Sequence, residues 1–123
     1  MTKKILLVED NEGDQVLIKE ALEENGFDCE LITTTSGEDG INKATGLKPD
    51  IVITDTNLPG MDGFETCQKI KEVCGDYVKV IVMTGVVDAV NAGKARDMGA
   101  DEYCVKTSDC QPLLVRLTKY LKK

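Results

Sequence analysis

The sequence contains no histidine and no tryptophan, and only three tyrosines and two phenylalanines. Without histidine the chain can offer no imidazole base, no imidazole metal ligand and no phosphohistidine of its own. With aromatics at 4%, the core must be built from Val, Ile, Leu and Ala. Positive charge is also scarce. The net charge is −7, and the paired lysines Lys3-Lys4 and Lys122-Lys123 read as solvated ends rather than a basic patch. Such a surface repels a phosphate backbone, so no direct nucleic-acid binding is expected. No apolar run is long enough to span a membrane, and no leader or anchor is expected. The five cysteines (Cys29, Cys67, Cys74, Cys104, Cys110) are odd in number and form no C-x-x-C pair. That argues against a disulfide framework or a zinc site and for a reduced, cytoplasmic protein. Cys67 and Cys74 are read as helix-surface residues rather than a reactive pair.

What is present is an alternation. The 123 residues suit one domain over 1–123, and no linker or repeat interrupts them. Lys4-Ile5-Leu6-Leu7-Val8 reads as a strand buried on both faces. A helix over 14–25 follows, stopped by Gly26. A second strand spans 29–34, and Ser36 caps a short helix running to about Thr45. The third strand, Ile51-Val52-Ile53-Thr54, is β-branched throughout and closed by Asp55. A third helix over 63–74 places Phe64, Cys67, Ile70 and Val73 on one stripe. A strand over 78–83, a weaker helix over 88–98 and a strand over 102–105 come next. Ser108-Asp109-Cys110-Gln111 resembles a capping box for a last helix carrying Leu113, Leu114, Leu117, Tyr120 and Leu121. Five β-α repeats require parallel strands, right-handed crossovers and helices on both faces of the sheet, an α/β three-layer sandwich.

In such folds ligands bind at the carboxyl ends of the strands, and the polar residues fall there. Glu9 and Asp10 follow the first strand, Asp55 ends the third, Thr84 the fourth and Lys106 the fifth. Taken singly each has a plain alternative: Asp55 as a cap or loop acid, Thr84 as a turn residue, Lys106 as a surface lysine. Their joint placement at one rim points to chemistry. Three neighbouring carboxylates repel unless a cation lies among them, and oxygen donors of this kind suit Mg²⁺. Asp55, at the centre, is the expected nucleophile toward phosphorus. Asp10 is an expected metal ligand, Glu9 a lesser one acting directly or through a water, and the Asn57 carbonyl a third. Thr84 would donate its hydroxyl to the phosphoryl group and Lys106 its positive charge. A charge-assisted hydrogen bond of that kind, worth roughly 1.5–3 kcal/mol, shifts a two-state equilibrium by roughly one to two orders of magnitude. Tyr103 is either an ordinary half-buried strand aromatic or a side chain that swings inward when Thr84 moves.

The residues Ile5-Leu6-Leu7-Val8-Glu9-Asp10-Asn11, the segment from Asp55-Thr56-Asn57-Leu58-Pro59-Gly60-Met61-Asp62-Gly63, Val82-Met83-Thr84-Gly85, Gly99-Ala100-Asp101-Glu102-Tyr103 and Lys106 together resemble the receiver domains of two-component response regulators, of the single-domain chemotaxis type. The resemblance spans essentially the whole chain. It implies a flavodoxin-like (βα)5 fold with sheet order 2-1-3-4-5. It further implies phosphorylation of Asp55 from the phosphohistidine of a histidine kinase or histidine phosphotransfer protein, and Mg²⁺ held by Asp10, Asp55 and the Asn57 carbonyl with Glu9 nearby. Thr84 and Tyr103 would act as switch residues coupled to the surface formed by the fourth helix, fifth strand and fifth helix. With nothing after Lys123, a stand-alone, monomeric receiver signalling by association in trans is expected, and not a turnover enzyme. Two alternatives stay open: an Asp-nucleophile phosphatase or phosphotransferase, since Asp55-Thr56-Asn57 is similar to the D-x-D of haloacid-dehalogenase enzymes, and a receiver that serves only as a scaffold. One departure from the family stands out. Thr107 replaces the proline that usually follows the lysine, so a trans peptide is expected at 106–107. Val86, two residues past Thr84, offers no polar group to orient a hydrolytic water, which predicts a phospho-form that is not unusually short-lived.

Overall fold

The structure is a computed structural model that describes residues 2–85 and 88–121; Val86 and the Lys122-Lys123 pair lie outside the described residues. Strands β1 (Lys3–Val8), β2 (Cys29–Thr34), β3 (Ile51–Asp55), β4 (Lys79–Thr84) and β5 (Glu102–Val105) alternate with helices α1 (Glu12–Glu24), α2 (Gly37–Leu47), α3 (Gly63–Cys74), α4 (Ala89–Asp97) and α5 (Gln111–Leu117). All strand pairs are parallel, and the order is β2-β1-β3-β4-β5. This is the flavodoxin-like α/β fold expected from the sequence.

Side chains alternate across each strand, and that period of two splits the core. Ile5, Leu7, Ile51, Ile53, Ile81 and Met83 face α1 and α5, where Ile18, Leu22, Leu113 and Leu117 meet them. Leu6, Val8, Val52, Val80 and Val82 face the other way, against Ala44, Phe64, Cys67, Ile70 and Ala95 of α2, α3 and α4. The central strands are therefore apolar runs because both faces are covered. No helix among the described residues is long and apolar enough to cross a membrane.

Several local expectations change. Helix α1 begins at Glu12 rather than Asp14, because the Asn11 side chain caps it by accepting the Asp14 N–H. Helix α2 is capped by Ser36 as expected and runs on to Leu47. The third-helix stripe holds for Phe64, Cys67 and Ile70, which are buried, and fails at its last position, where Val73 is 52% exposed and Cys74 packs against the core instead. Cys67 is thus a core residue and not a surface one, and burial pushes its thiol up to about 12. The capping box before α5 does not form. Cys110 occupies the cap position in a left-handed conformation, φ 59°, with no side-chain cap bond. Asp109 instead accepts from the Gln111 N–H at 3.1 Å and the Thr107 hydroxyl at 2.8 Å. Helix α5 stops at Leu117, so Tyr120 and Leu121 belong to a closing turn, with Leu121 still buried in the core. No cis peptide occurs among the described residues, and the 106–107 bond is trans as expected.

Candidate active site

Parallel pairing brings the carboxyl ends of the strands to one edge, and backbone bonds extend the ladder one residue past them. The Glu9 N–H donates to the Thr34 carbonyl, Thr56 N–H to Met83, and Lys106 N–H to Thr84, at 2.9, 2.9 and 2.7 Å. Glu9, Thr56 and Lys106, which follow the strands, are thus tied into the backbone ladder. Gln15 Nε2 donates to the Glu9 carbonyl at 2.6 Å and fixes the turn into α1. Below β3, Gly63 lets α3 start directly against the strand end: a Cβ there would stand 2.0 Å from the Asp55 carbonyl oxygen.

Glu9, Asp10 and Asp55 converge, each presenting a carboxylate oxygen within 4.8 Å of the others. Glu9 and Asp55 are buried and Asp10 is exposed. The Lys106 ammonium sits among them, 2.5 Å from Glu9 Oε1 and 3.1 Å from Asp55 Oδ2. Asn57 lies beside Asp55, its N–H pointing to Asp55 Oδ1 at 3.4 Å. Thr84 is buried at the end of β4, one residue after Met83, the register partner of Asp55. Tyr103 pairs with Val82 and packs half-buried against the core on the α2–α3–α4 side, outside the carboxylate cluster.

Electrostatically the pocket is over-supplied with negative charge. Burial pushes the Glu9 carboxyl above its ordinary value, and the hydrogen bonds from Lys106 and the Asn11 N–H pull it back only in part. Burial alone would lower the Lys106 pKa, but hydrogen bonds to Asp14, Glu9 and Asp55 outweigh it, and the pKa is raised. The ammonium is therefore charged at any physiological pH. A single lysine facing this many carboxylates leaves room for a second cation, and the donor set is all hard oxygen, which fits Mg²⁺.

Glu9, Asp10, Asp55, Asn57, Thr84 and Lys106 are thus gathered at one rim, while Tyr103 stands apart. One participant was missed: Asp14, whose Oδ2 lies 2.8 Å from the Lys106 ammonium. Starting the helix at Asp14 made it a terminal residue of no consequence. Recognising Asn11 as the cap would have placed Asp14 three and four residues before Leu17 and Ile18, on the side of α1 that faces inward.

Comparison with known proteins agrees with this geometry. Residues 5–118 match the family model described as the response regulator receiver domain. The transcriptional regulatory protein AfsQ1 of Streptomyces coelicolor is 31% identical over 119 residues, covering 97% of this chain and 51% of that protein. The chain spans about half the length of several curated relatives it matches. It covers far more, 95%, of the sporulation initiation phosphotransferase F of Bacillus subtilis, at 29% identity and 98% of this chain. The chemotaxis protein CheY4 of Vibrio cholerae superposes with a TM-score of 0.86 over 97% of this chain and 98% of that one, and at 23% identity this establishes the fold alone. The five-repeat topology, the acid-and-lysine rim at its strand ends and a family match over nearly the whole length agree: the chain belongs to the response regulator receiver domain family.

Proposed function

We propose that Asp55 accepts a phosphoryl group from a phosphohistidine and that the phosphorylated chain signals by associating with another protein. The observation that carries this reading is the Lys106 ammonium bridging Glu9 and Asp55 beside Asp10 at the strand ends. An Asp55 carboxylate oxygen attacks phosphorus in line with the bond to the donor imidazole. The P–O bond forms as the P–N bond breaks, and the electron pair returns to the imidazole nitrogen. The sequence holds no histidine, so the donor lies outside it, on a histidine kinase or histidine phosphotransfer protein.

Mg²⁺ held by Asp10, Asp55 and the Asn57 carbonyl, with Glu9 beside it, would neutralise charge on the transferring phosphoryl oxygens. Lys106 supplies a fixed positive charge to one of those oxygens, and the Thr84 hydroxyl donates to another. Movement of Thr84 toward the phosphoryl group draws on β4 and β5 and is transmitted through Tyr103 to the surface of α4, β5 and α5. Val90 on α4 and Val115 on α5 are 80% and 58% exposed, which gives that surface apolar contacts to offer. On this reading the chain is an acceptor and not a turnover enzyme.

The test is incubation with Mg²⁺ and acetyl phosphate, read by mass spectrometry. One phosphoryl group per chain is expected, lost in Asp55→Asn. Labelling that persists in Asp55→Asn, or multiple turnover of small phosphoesters, would overturn the proposal.

A further inference from the structure

An ammonium group has three N–H donors and no more. In Lys106 two of them donate to carboxylates, Glu9 Oε1 at 2.5 Å and Asp55 Oδ2 at 3.1 Å, and Asp14 Oδ2 lies in ion-pair contact at 2.8 Å. These three do not stand in the same relation to a metal. Glu9 and Asp55 belong, with Asp10, to the group of oxygens close enough to share one cation. Asp14 does not. A cation entering that group competes with the lysine for Glu9 and Asp55 and leaves Asp14 to it.

The placement of Asp14 suits that division. Its backbone is fixed by the Asn11 cap at 2.9 Å, and its side chain reaches from the first turn of α1 across to the start of the β5–α5 loop. Asp14, Leu17 and Ile18 of α1 line one side of a small cavity, and Lys106, Thr107 and Cys110 the other. Apart from Lys106 and Asp14 the polar contacts of that loop are local, Thr107 and Gln111 both bonding to Asp109. The ammonium is therefore steered from α1 and not from its own loop.

We propose that Asp14 is a positioning residue, which holds the Lys106 ammonium over the acceptor when the metal takes up Glu9 and Asp55, and so keeps its charge available to the incoming phosphoryl group. This rests on the phospho-acceptor reading and deepens it. Asp14 touches neither the metal group nor the phosphoryl position; it acts through the lysine.

The experiment is a double-variant cycle on the full chain, with beryllofluoride as the phosphoryl analogue at saturating Mg²⁺ and binding read by fluorine NMR. Asp14→Asn keeps the side-chain size and removes the charge. It is expected to weaken beryllofluoride binding by roughly three- to tenfold, the lower figure allowing for screening of a side chain that is 34% exposed. In a Lys106→Ala background the same substitution is expected to change nothing. Equal weakening in both backgrounds, as a general loosening of α1 would give, overturns the proposal, and so does unchanged affinity in Asp14→Asn. Failure of the unsubstituted chain to bind beryllofluoride overturns the phospho-acceptor reading itself and takes this inference with it.

Discussion

Lys106 sets the charge balance of the pocket. Its ammonium is the counter-charge nearest to a fully buried Glu9 and to Asp55. Lys106→Ala leaves these carboxylates facing each other with Asp14 and Asp10, and breaking such a pair costs more than the pair was worth because the remaining charge stays buried. We expect a loss of about 2–4 kcal/mol in urea unfolding with chelator present, below the figure for fully enclosed pairs because the lysine is 21% exposed. Millimolar Mg²⁺ should recover most of that loss while leaving the unsubstituted chain less affected, since a second cation substitutes for the first. A loss that Mg²⁺ does not reduce would contradict a common site for metal and lysine. The placement of these residues was largely legible in the sequence, because a residue that follows an apolar run in a β-α repeat falls at the carboxyl rim of the sheet. Asp14 was not legible for the same reason inverted: it lies within a helix, where a shift of two residues in the assumed start turns an inward acid into an outward one.

Helices reach the site through their first turns, and their glycines show how tightly. At Gly63 a methyl group would overlap the Asp55 carbonyl, so α3 has to retreat from the strand end that carries Asp55. Gly63→Ala is expected to destabilise by about 1–3 kcal/mol. It should also weaken Mg²⁺ binding, because the backbone of the Asp55 loop shifts with it. Gly46, near the end of α2, has nothing within 4 Å of the corresponding position and a backbone that any residue adopts. Gly46→Ala should therefore stabilise by about 0.5–1 kcal/mol through helix propensity alone. Thermal melts of the two variants test the pair, and a matching sign would show that helix propensity, not the approach to Asp55, governs Gly63. Element existence was legible from apolar period and stop signals throughout. The errors sit where chemistry departs from pattern. Ser108 and Gln111 have capping-box spacing, yet the chain turns left-handed at Cys110 and Asp109 takes both local donors. Val73 continues an apolar stripe by count, yet the chain reaches the left-handed Gly75 two residues on, and Val73 faces solvent.

For the molecule as a whole, alternation alone dictated parallel strands with helices on both faces, but not the order of the strands, which came only with the family resemblance. The edges carry a trace of it: β2 and β5 include Glu30 and Glu102 and are only half covered, whereas β1, β3 and β4 are buried along most of their length. Glu102 also ties the last turn of the chain to that edge. Its carboxylate accepts from the Tyr120 hydroxyl at 2.8 Å and pairs with the Lys119 ammonium at 3.1 Å. Burial, followed by that hydrogen bond and the Glu102 charge, pushes the Tyr120 phenol up to about 12 from 10.0. The phenol is protonated in both folded and unfolded chains below about pH 10, so its contribution is fully present there. Between about pH 10 and about pH 12 the unfolded chain gives up the proton and the folded one resists, so stability falls as pH rises. Buried Cys104, pushed up to about 11, and Cys67 act in the same direction, so the overall alkaline loss cannot by itself be assigned to the tyrosine. The difference between the unsubstituted chain and Tyr120→Phe isolates it. Tyr120→Phe should be the less stable of the two below pH 10 by about 1 kcal/mol for the lost hydrogen bond. That gap should narrow by about 1 kcal/mol on going to pH 12, after allowance for solvent around a partly exposed phenol. Urea midpoints that decline in parallel for both chains would show that the bond to Glu102 does not hold the turn after α5 to the sheet edge.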